Sequence, residues 1–459
     1  MDIVVRMKAH RRKRKTRYLF RLDETRKTTA HGGQILVDAL CRRFGLWEQL
    51  ARTPGLDPRK RRRSGHDPEA LAAQIVFGLA SGAVTLSDME RLGDDPVLLE
   101  AVGLERAADA STLGEWLRAQ TAASVEALGE LNARFVRAVL EQARPGRVRH
   151  AGQLEVFFDD TQIEVHGQKI EGARVNYNGD LALSWQTLWC GPFLLDGILD
   201  GAGSVAAHQA ALLEARAGTW KPGPAYFYAD SGSSAGAELK GIRAAEFAQW
   251  SVSYNKWTDV PERLAEELPA AAWGEKTQVE DETREYAWIK HRPGELDEDQ
   301  LFAVCRRKKP DELFFRYGFV ACESRPARTP KAVMERHNLK GACEQRFSEV
   351  LSDLDLHHPP CLALIANQAF YALATLAYNV LTALKVLDLP DHAQTWRVRT
   401  LVRHLLTVPA SVVAHANRRV LKISIPAGWL KWWRLFLARF VPRRKRGESI
   451  DESYRVETG

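Results

Sequence analysis

Aspartates follow two apolar segments that are typical of buried β-strands. Leu154–Phe158 is followed directly by Asp159 and Asp160. Ala225–Ala229 is followed in the same way by Asp230. Strand ends at one edge of a sheet can bring such carboxylates together, and clustered carboxylates suit Mg²⁺ or Mn²⁺, two of which, roughly 4 Å apart, serve phosphoryl transfer. Acids after strands also begin loops or cap helices, and on spacing alone that structural role is the commoner one.

The elements that would position these acids follow from a change in apolar periodicity along the chain. Residues 33–143 have helical spacing and almost no strand alternation, and a linker with Pro and Gly follows at 143–148. From Gln153 onward the pattern predicts strands and helices in alternation. After the first strand, the predicted elements are two strands around Val175–Tyr177 and Ser184–Leu199, a helix at Ser204–Ala217, the strand Ala225–Ala229, a helix at Gly236–Ala248 and a strand at Trp250–Tyr254.

The second half of the chain begins with a different pattern. Between 255 and 328, short apolar segments alternate with charged turns, which predicts a mainly β insertion. Its candidate strands are Arg284–Lys290, Phe302–Arg307 and Leu313–Ala321. One helix is then predicted at Lys331–Leu351, followed by an apolar helix from Cys361 and by a basic, aromatic tail.

From Met334 the chain reads MERHNLKGACEQRFSEVLSDLDLHHPPC, followed by LALIANQAFYALATLAYNVL. This segment resembles the transposase DDE domain group 1 family of bacterial insertion sequences. That family carries its third catalytic acid on a helix, in a Tyr-x2-Arg-x3-Glu-x6-Lys arrangement followed by Pro-Cys and an apolar helix. The four positions of that arrangement fall on His337, Lys340, Glu344 and Leu351. Glu344 matches the catalytic glutamate, whereas His, Lys and Leu stand where the family has Tyr, Arg and Lys.

The blocks around the first two acids resemble the same family. The family has a strand, then Asp-x-Thr, then His-Gly-x-Gln, and this chain has Asp159-Asp160-Thr161 and later His166–Lys169. Tyr228–Gly232 resembles the second block, and the resemblance runs from about 153 to 387. It implies two Mg²⁺ (or Mn²⁺) ions per active site, with these catalytic ligands: Asp159, Asp230 and Glu344, and Asp160 as the alternative to the first.

The fold that the resemblance implies is an α/β, ribonuclease-H-like fold. It consists of a mixed five-stranded sheet flanked by helices, a β-rich insertion, an all-α N-terminal domain and a helical C-terminal region. The order of elements predicted from periodicity agrees with it. The expected divisions are a basic arm at 1–32, a helical DNA-binding domain at 33–148, the catalytic core at 149–254 and 329–390, the insertion at 255–328, and the basic, aromatic C-terminal region at 391–459.

The function implied is that of a transposase, which binds the terminal inverted repeats of its element and catalyses metal-dependent DNA cleavage and strand transfer. Double-stranded DNA of the element ends and of the target would be its partner, and a homodimer would form in the synaptic complex. Two alternatives remain open. One is a stand-alone nuclease of the same fold, and the other is a catalytically inactive, transposase-derived DNA-binding protein, which the departures at His337, Lys340 and Leu351 keep open.

The distribution of charge supports a nucleic-acid partner. The 459 residues include 65 Lys and Arg against 58 Asp and Glu, a net charge of +7. Residues 1–17 hold eight of the basic residues and one acid, so the other 442 residues balance at 57 against 57. Basic clusters supply salt-sensitive contacts to phosphate oxygens, although solvated tails have the same composition. The DNA-binding candidates are His337, Lys340, Trp257, Arg11, Arg12, Lys13, Arg14, Arg61, Arg62 and Arg63.

Aromatic and apolar segments have both structural and functional interpretations. Trp257, and also Trp288, could stack on a base extruded from the duplex, although most tryptophans belong to the core. Cys361–Leu384 is long enough to span a bilayer, but its polar residues favour a buried helix. The tail from Trp429 to Phe440 has an aromatic helical face, which favours docking on the catalytic domain or a second subunit over a membrane. With no C-x-x-C pair among six cysteines, we expect reduced thiols in a cytoplasmic protein. The family resemblance implies that this protein is bacterial and nucleoid-associated.

Overall fold

A computed structural model describes the chain over residues 25–60, 65–167, 169–203, 206–221, 223–254, 260–294, 296–415 and 418–440. The candidates Arg11, Arg12, Lys13, Arg14, Arg61, Arg62, Arg63 and Trp257 lie outside the described residues. Helices and a mixed sheet share one continuous apolar core, which runs from the first helices through the sheet to the C-terminal aromatic residues. The mixed α/β class predicted from the sequence is therefore confirmed.

Helices dominate the described N-terminal part, as the apolar periodicity predicts. The longest of them begins at Thr121, whose hydroxyl accepts a hydrogen bond from the Ser124 amide in a capping box. The elements are β1 (Thr28–Thr29), α1 (Gln34–Arg43), α2 (Leu46–Ala51), α3 (Pro68–Ala80), α4 (Leu86–Glu90), α5 (Pro96–Ala101), α6 (Ala110–Arg118), α7 (Ala122–Gln142) and α8 (Pro145–Val148).

The central sheet follows, with strands and helices alternating as predicted from the sequence, but the segment predicted at Ser184–Leu199 forms two strands and a short strand β2 is added. Its elements are β2 (Arg149–His150), β3 (Gln153–Glu164), β4 (Arg174–Val175), β5 (Leu181–Cys190), β6 (Phe193–Gly201), α9 (Gln209–Arg216), β7 (Ala225–Ala229), α10 (Gly236–Ala244) and β8 (Gln249–Ser253). The spatial order is β6-β5-β3-β7-β8, and β3 is antiparallel to β5 but parallel to β7, which is parallel to β8.

The β-rich insertion continues this sheet instead of forming a separate layer. Its elements are α11 (Val260–Glu266), β9 (Thr277–Val279), β10 (Glu282–His291), β11 (Gln300–Lys308) and β12 (Arg316–Cys322). β12 pairs with β8 in antiparallel fashion, so the described part of the chain has eleven strands in one sheet instead of the five predicted for the core. An open edge on β8 would leave backbone groups unpaired, and β12 satisfies them.

The helix predicted at 331–351 is interrupted. α12 (Pro330–Asn338) ends before Leu339, and α13 (Gly341–Asp353) begins after Lys340. The long helix α14 (Leu364–Asp388) follows and packs against β6, α7 and α3. Among the described residues, α14 is the helix long and apolar enough to cross a membrane, and 83% of its apolar window is buried within the protein. It is the buried helix that the sequence predicted.

The C-terminal region contains strands where helices alone were predicted, so that prediction was wrong in part. α15 (Val398–Leu401) runs into a π-helical turn at Val402–Leu406, followed by β13 (Ala410–His415), β14 (Arg418–Ile423) and α16 (Leu430–Phe440). β1 pairs with β13, which pairs with β14. The partner strand β1 is remote in sequence, and for that reason local periodicity does not reveal this sheet.

Two glycines allow the N-terminal segment to reach the C-terminal region. The Gly32 amide donates to the Val408 carbonyl at 2.8 Å, and the Gly33 amide donates to the Leu406 carbonyl at 3.2 Å. A Cβ at position 33 would lie 2.0 Å from the Leu405 carbonyl oxygen, so any side chain there would force the backbones apart. Gly32 and Gly33, near the start of the described chain, are thus hydrogen-bonded to the C-terminal region.

Candidate catalytic site

Asp159 and Asp230 lie next to each other at the point where β3 loses its parallel neighbour. The last pair in the β3–β7 register is Phe158 with Ala229, and the two aspartates come directly after it. β3 itself does not end there, as the sequence had predicted, but continues to Glu164 because β5 pairs with it further. The two predicted acids are therefore brought together, by strand pairing.

Asp159 and Asp160 leave β3 on opposite faces because side chains alternate along a strand. The face of Asp159 also carries Phe157, which stacks on Trp189 of β5 with ring centroids 5.4 Å apart. On the other face, the Asp160 carboxylate accepts a hydrogen bond from the Gln162 amide at 3.1 Å. Therefore only one of Asp159 and Asp160 can face a helix that packs on one side of the sheet.

Helix α13 covers the Asp159 face. The Phe347 ring of this helix lies 5.5 Å from the Trp189 ring and 6.3 Å from the Trp185 ring, both on β5. Glu344 lies on the same helix one turn before Phe347, so its backbone is on the same side of the helix. The Glu344 side chain lies outside the described residues. Its helix nevertheless brings this position to the sheet face that Asp159 occupies.

The break between α12 and α13 places Lys340 against Asp230. Lys340 is the N-cap residue of α13, and its ammonium forms an ion pair with one Asp230 carboxylate oxygen. The Lys340 side chain is 8% exposed, whereas that of Asp230 is 57% exposed. A positive charge is thus held directly on one of the two predicted acids.

His337 is held by two serines that the sequence reading did not single out. Its Nδ1 lies 2.9 Å from the Ser251 hydroxyl oxygen and its Nε2 lies 2.7 Å from the Ser253 hydroxyl oxygen, both on β8. Burial, with the nearby Lys340 charge, lowers the pKa of His337 to about 4, so the ring is neutral at pH 7. The signal that could have found the serines is the Ser-x-Ser alternation in β8, which directs both to one face.

The two aspartates of β3 are unusually hard to ionise. Burial, opposed by the Lys340 charge and reinforced by Asp230 and Asp160, raises the pKa of Asp159 to about 7. Burial also raises the pKa of Asp160 to about 6, and the nearby Asp230 charge acts in the same direction. Crowded, partly desolvated carboxylates of this kind are relieved by a cation, and perturbed pKa values cluster at functional sites.

The donor chemistry at this place fits a hard divalent cation. The atoms that could bind a metal are carboxylate oxygens, which Mg²⁺ and Mn²⁺ prefer. Asp230 already pairs with a positive charge, the Lys340 ammonium. The described side chains contain no group of three or more His, Cys, Asp or Glu residues that could hold a metal ion. That set does not include the Glu344 side chain, which the sequence predicts as the third ligand.

Further charged residues line the Asp159 face. An Arg336 guanidinium nitrogen lies 3.0 Å from a Glu155 carboxylate oxygen. The Arg346 guanidinium lies 5.5 Å from the Phe157 ring centroid and donates to the Gly191 carbonyl at 2.5 Å. Sequence reasoning missed both arginines, because only the packing of α12 and α13 on the sheet brings them there. Trp288 lies within β10, half-buried beside the small apolar cluster under α12.

Most of the chain matches one protein-family model. The family model described as transposase DDE domain group 1 matches residues 21–442 of the chain. The match includes β3, β7 and α13, which carry the three predicted acids, and it extends through the insertion and into α16. No curated protein matches the chain.

Proposed function

This chain belongs to the transposase DDE domain group 1 family, and we propose that it is the transposase of a bacterial insertion sequence. In this proposal it binds the terminal inverted repeats of its element and catalyses DNA cleavage and strand transfer. The observation that carries the proposal is the adjacency of Asp159 and Asp230 at the end of the β3–β7 pairing, beneath the helix of Glu344.

The fold we propose for the core is ribonuclease-H-like. Support comes from five strands in the order β6-β5-β3-β7-β8, with antiparallel pairing on one side of β3 and parallel pairing on the other. Along the chain, Asp159 lies on the first of these five strands (β3), Asp230 directly follows the fourth (β7), and Glu344 lies on a late helix, as the family resemblance implies. The β-rich strands β9–β12 lengthen the same sheet between the second and third acids.

Asp159, Asp230 and Glu344 are the residues we propose as ligands of two Mg²⁺ or Mn²⁺ ions. Ions bound there would supply activation of the attacking water or DNA hydroxyl and stabilisation of the leaving oxygen. We assign the first ligand to Asp159 and not to Asp160, because Asp159 is on the face that α13 covers. The nucleophile is water or a DNA 3′-hydroxyl, so no covalent protein–DNA intermediate forms.

Lys340 and His337 act around these acids in the proposed mechanism. The Lys340 ammonium forms an ion pair with the Asp230 carboxylate and holds it in place before a cation binds. Once it separates from Asp230, Lys340 is positioned to donate to a phosphate oxygen of the DNA strand being cut. Neutral His337 fixes the end of α12 against β8 through Ser251 and Ser253, which keeps Lys340 in position.

The partners in this proposal are double-stranded element ends and target DNA. The basic arm at 1–17 and the cluster at 59–63 would contact phosphates, and Trp257 would stack on an extruded base. Synapsis of two ends would require two copies of the chain. A DNA substrate of this kind places the protein in the bacterial cytoplasm, at the nucleoid.

Cleavage of element-end DNA tests the proposal. Purified protein is incubated with a fragment carrying the inverted repeats found beside its reading frame, with Mg²⁺ or with EDTA. We expect Mg²⁺-dependent strand cleavage, which Asp159→Asn, Asp230→Asn and Glu344→Gln each reduce about a hundredfold or more. Asp160→Asn is the matched control, because it makes the same chemical change on the opposite face of β3, and we expect it to keep most of the activity.

Three outcomes would contradict the proposal or narrow it. Cleavage that persists in EDTA, or in the Asp230→Asn variant, would exclude a metal-dependent active site at these acids. Cleavage without joining of pre-cut ends to target DNA would identify a stand-alone nuclease. Binding of the repeats without any cleavage would identify an inactive DNA-binding derivative.

A further inference from the structure

The charge balance outside the N-terminal arm is neutral in sum but uneven in distribution. Residues 391–459 contain 14 Lys and Arg against five Asp and Glu, a net charge of +9. Residues 18–390 therefore hold 43 basic against 52 acidic residues, a net charge of −9. The C-terminal region is thus a second basic segment, and between residues 391 and 440 its only acid is Asp391.

A row of aromatic rings lies within this basic region, and we name it the aromatic ladder: Trp396, His404, Trp429 and Trp432. The rings of Trp396 and His404 lie 5.5 Å apart, and those of Trp396 and Trp429 lie 5.4 Å apart. His404 is nearly parallel to Trp429 at 13°, and Trp432 meets Trp429 edge-on at 5.7 Å. Trp432 also stacks on Phe436 at 5.2 Å, so part of its ring face is covered. The three tryptophans are half-buried and His404 is exposed, so the His404 ring is the most accessible of the four.

Exposed basic side chains accompany the aromatic ladder. Arg403 precedes His404 in the π-helical turn, and Lys431 lies between Trp429 and Trp432 at the start of α16; both are exposed. Aromatic faces interleaved with cations are the composition that binds nucleic acids with unpaired bases, because bases stack on the rings while cations contact phosphates.

Two described aromatic side chains on the apolar face of α16 are buried and are not available to a lipid bilayer. Trp433 and Phe436 are 1% and 2% exposed and belong to the main apolar core. A membrane-binding amphipathic helix needs that face free, because its apolar side chains enter the acyl region. The accessible side of α16 instead carries Lys431 and the edges of the ladder, which favours a polyanion over a lipid surface.

We propose that the aromatic ladder binds DNA at unpaired bases, with Arg403 and Lys431 on the adjoining phosphates. The class of partner rests on the proposed function, and the ladder adds a contact surface to it. The C-terminal region docks on the helix of Glu344, since Arg397 pairs with Asp353 at 3.1 Å and the Val398 amide donates to Glu349 at 2.6 Å. At 1.5 Å per helical residue, Asp353 lies roughly 13 Å along α13 from Glu344, so one strand can reach both places.

Charge reversal on the ladder provides the first test. The full-length protein, in EDTA, is titrated into a fluorescein-labelled 20-nucleotide oligothymidine and its fluorescence anisotropy is measured. We expect Arg403→Glu with Lys431→Glu to weaken binding about tenfold or more and to reduce the slope of log K against log salt by roughly 1.4. The matched control is Arg134→Glu with Lys240→Glu, which reverses two exposed cations outside the basic regions and is expected to change binding much less.

Ring removal separates base stacking from phosphate contact. We expect Trp432→Ala to weaken oligothymidine binding about tenfold while changing the affinity for a blunt 20-base-pair duplex less than threefold. His404→Ala removes an exposed ring without opening the core, so it gives the same readout if Trp432→Ala lowers the thermal midpoint. Equal affinity in the wild type, the charge-reversed protein and His404→Ala would overturn the inference.

The result of these binding experiments can be distinguished from the result of the cleavage experiment that tests the proposed function. Binding in EDTA requires no cleavage, so Asp230→Asn is expected to bind oligothymidine like the wild type. Loss of cleavage with retained ladder-dependent binding would overturn the catalytic proposal alone, and cleavage with ladder-independent binding would overturn the ladder alone. Binding to vesicles of anionic phospholipid that competes with oligothymidine, and that Arg403→Glu with Lys431→Glu abolishes, would identify a membrane surface instead.

Discussion

Asp159 and Asp160 are neighbours in sequence, but their side chains leave β3 on opposite faces of the sheet. Asp159 shares its face with Phe157, Trp189 and helix α13, whereas Asp160 bonds to Gln162 on the other side. This difference at the scale of single residues gives the two carboxylates separate roles in the proposed site. It also makes Asp160→Asn the matched control for the cleavage experiment on Asp159.

Asp159→Asn is expected to stabilise the metal-free protein at alkaline pH. The folded-state pKa of Asp159 is raised to about 7 from an ordinary value of 3.8. Its contribution to stability is therefore full below pH 4 and is lost as the pH rises through 7, because the folded state must then ionise a buried carboxyl. The uncharged amide avoids that loss. In EDTA at pH 8 we expect a thermal midpoint roughly 2 °C or more above the wild type, shrinking towards pH 5.

In Mg²⁺ we expect the wild type to have a higher thermal midpoint than Asp159→Asn, because an ion that binds only the folded state stabilises the wild type and not the variant. The exposed Asp311→Asn serves as the control for removal of a surface carboxylate. A thermal midpoint of Asp159→Asn that lies below the wild type at pH 8 without metal would show that Asp159 is not under electrostatic strain.

At the scale of elements, the site depends on how firmly α14 and α7 hold the sheet. The Asn379 amide nitrogen of α14 donates to Asn132 of α7 at 2.8 Å and to the Leu194 carbonyl of β6 at 2.6 Å. Its oxygen accepts from the Leu194 amide at 3.0 Å, and the residue is fully buried. One side chain thus ties two helices to an edge of the five-strand core.

Asn379→Ala is expected to lower the free energy of unfolding by about 2–4 kcal/mol, because it removes the hydrogen bonds that Asn379 makes to the Leu194 amide and to the Asn132 oxygen inside the core. The Leu194 carbonyl keeps one partner, the Asn132 amide nitrogen at 3.1 Å. Urea unfolding followed by circular dichroism measures this change. Asn178→Ala, in the exposed turn between β4 and β5, is the matched control, and we expect less than about 0.5 kcal/mol from it. Equal stability of the two variants would show that water replaces the missing hydrogen bonds.

For the whole molecule, charge is arranged in three segments: a basic arm, an acidic middle and a basic C-terminal region. The described chain begins beside the C-terminal region, since β1 pairs with β13 and the Gly32 amide donates to the Val408 carbonyl. An acidic middle segment repels DNA, so long-range attraction is expected to come from the two basic segments.

Removal of residues 1–17 is expected to weaken binding to duplex DNA without lowering the thermal midpoint. Every cation that no longer neutralises a phosphate lowers the slope of log K against log salt by about 0.9, so the slope should fall by several units if most of the eight cations engage DNA. Fluorescence anisotropy with a 20-base-pair duplex at salt concentrations from about 50 to about 200 mM measures it. A full-length variant with the eight basic residues changed to Gln separates charge from chain length, and an unchanged slope in it would exclude the arm from DNA binding.

The sequence by itself determined the alternation of strands and helices in the core, the adjacency of acids to apolar strands and the buried nature of α14. These features follow from short-range periodicity and from residue chemistry, which a chain carries whatever its final packing. The family resemblance added Glu344 and the order of the three acid-bearing blocks, because motif spacing is also a property of the linear chain.

Only the tertiary structure decided which aspartate shares a face with α13, and that β12 joins β8 to extend the sheet. The break between α12 and α13 at Leu339–Lys340, which brings the Lys340 ammonium to Asp230, was also visible only in the tertiary structure. The same is true of the pairing of β1 with the hairpin β13–β14. Each of these depends on pairing or packing between segments far apart in the chain. Local patterns describe which face of an element is apolar, but the register and contact partner of that face are fixed only when the whole core forms.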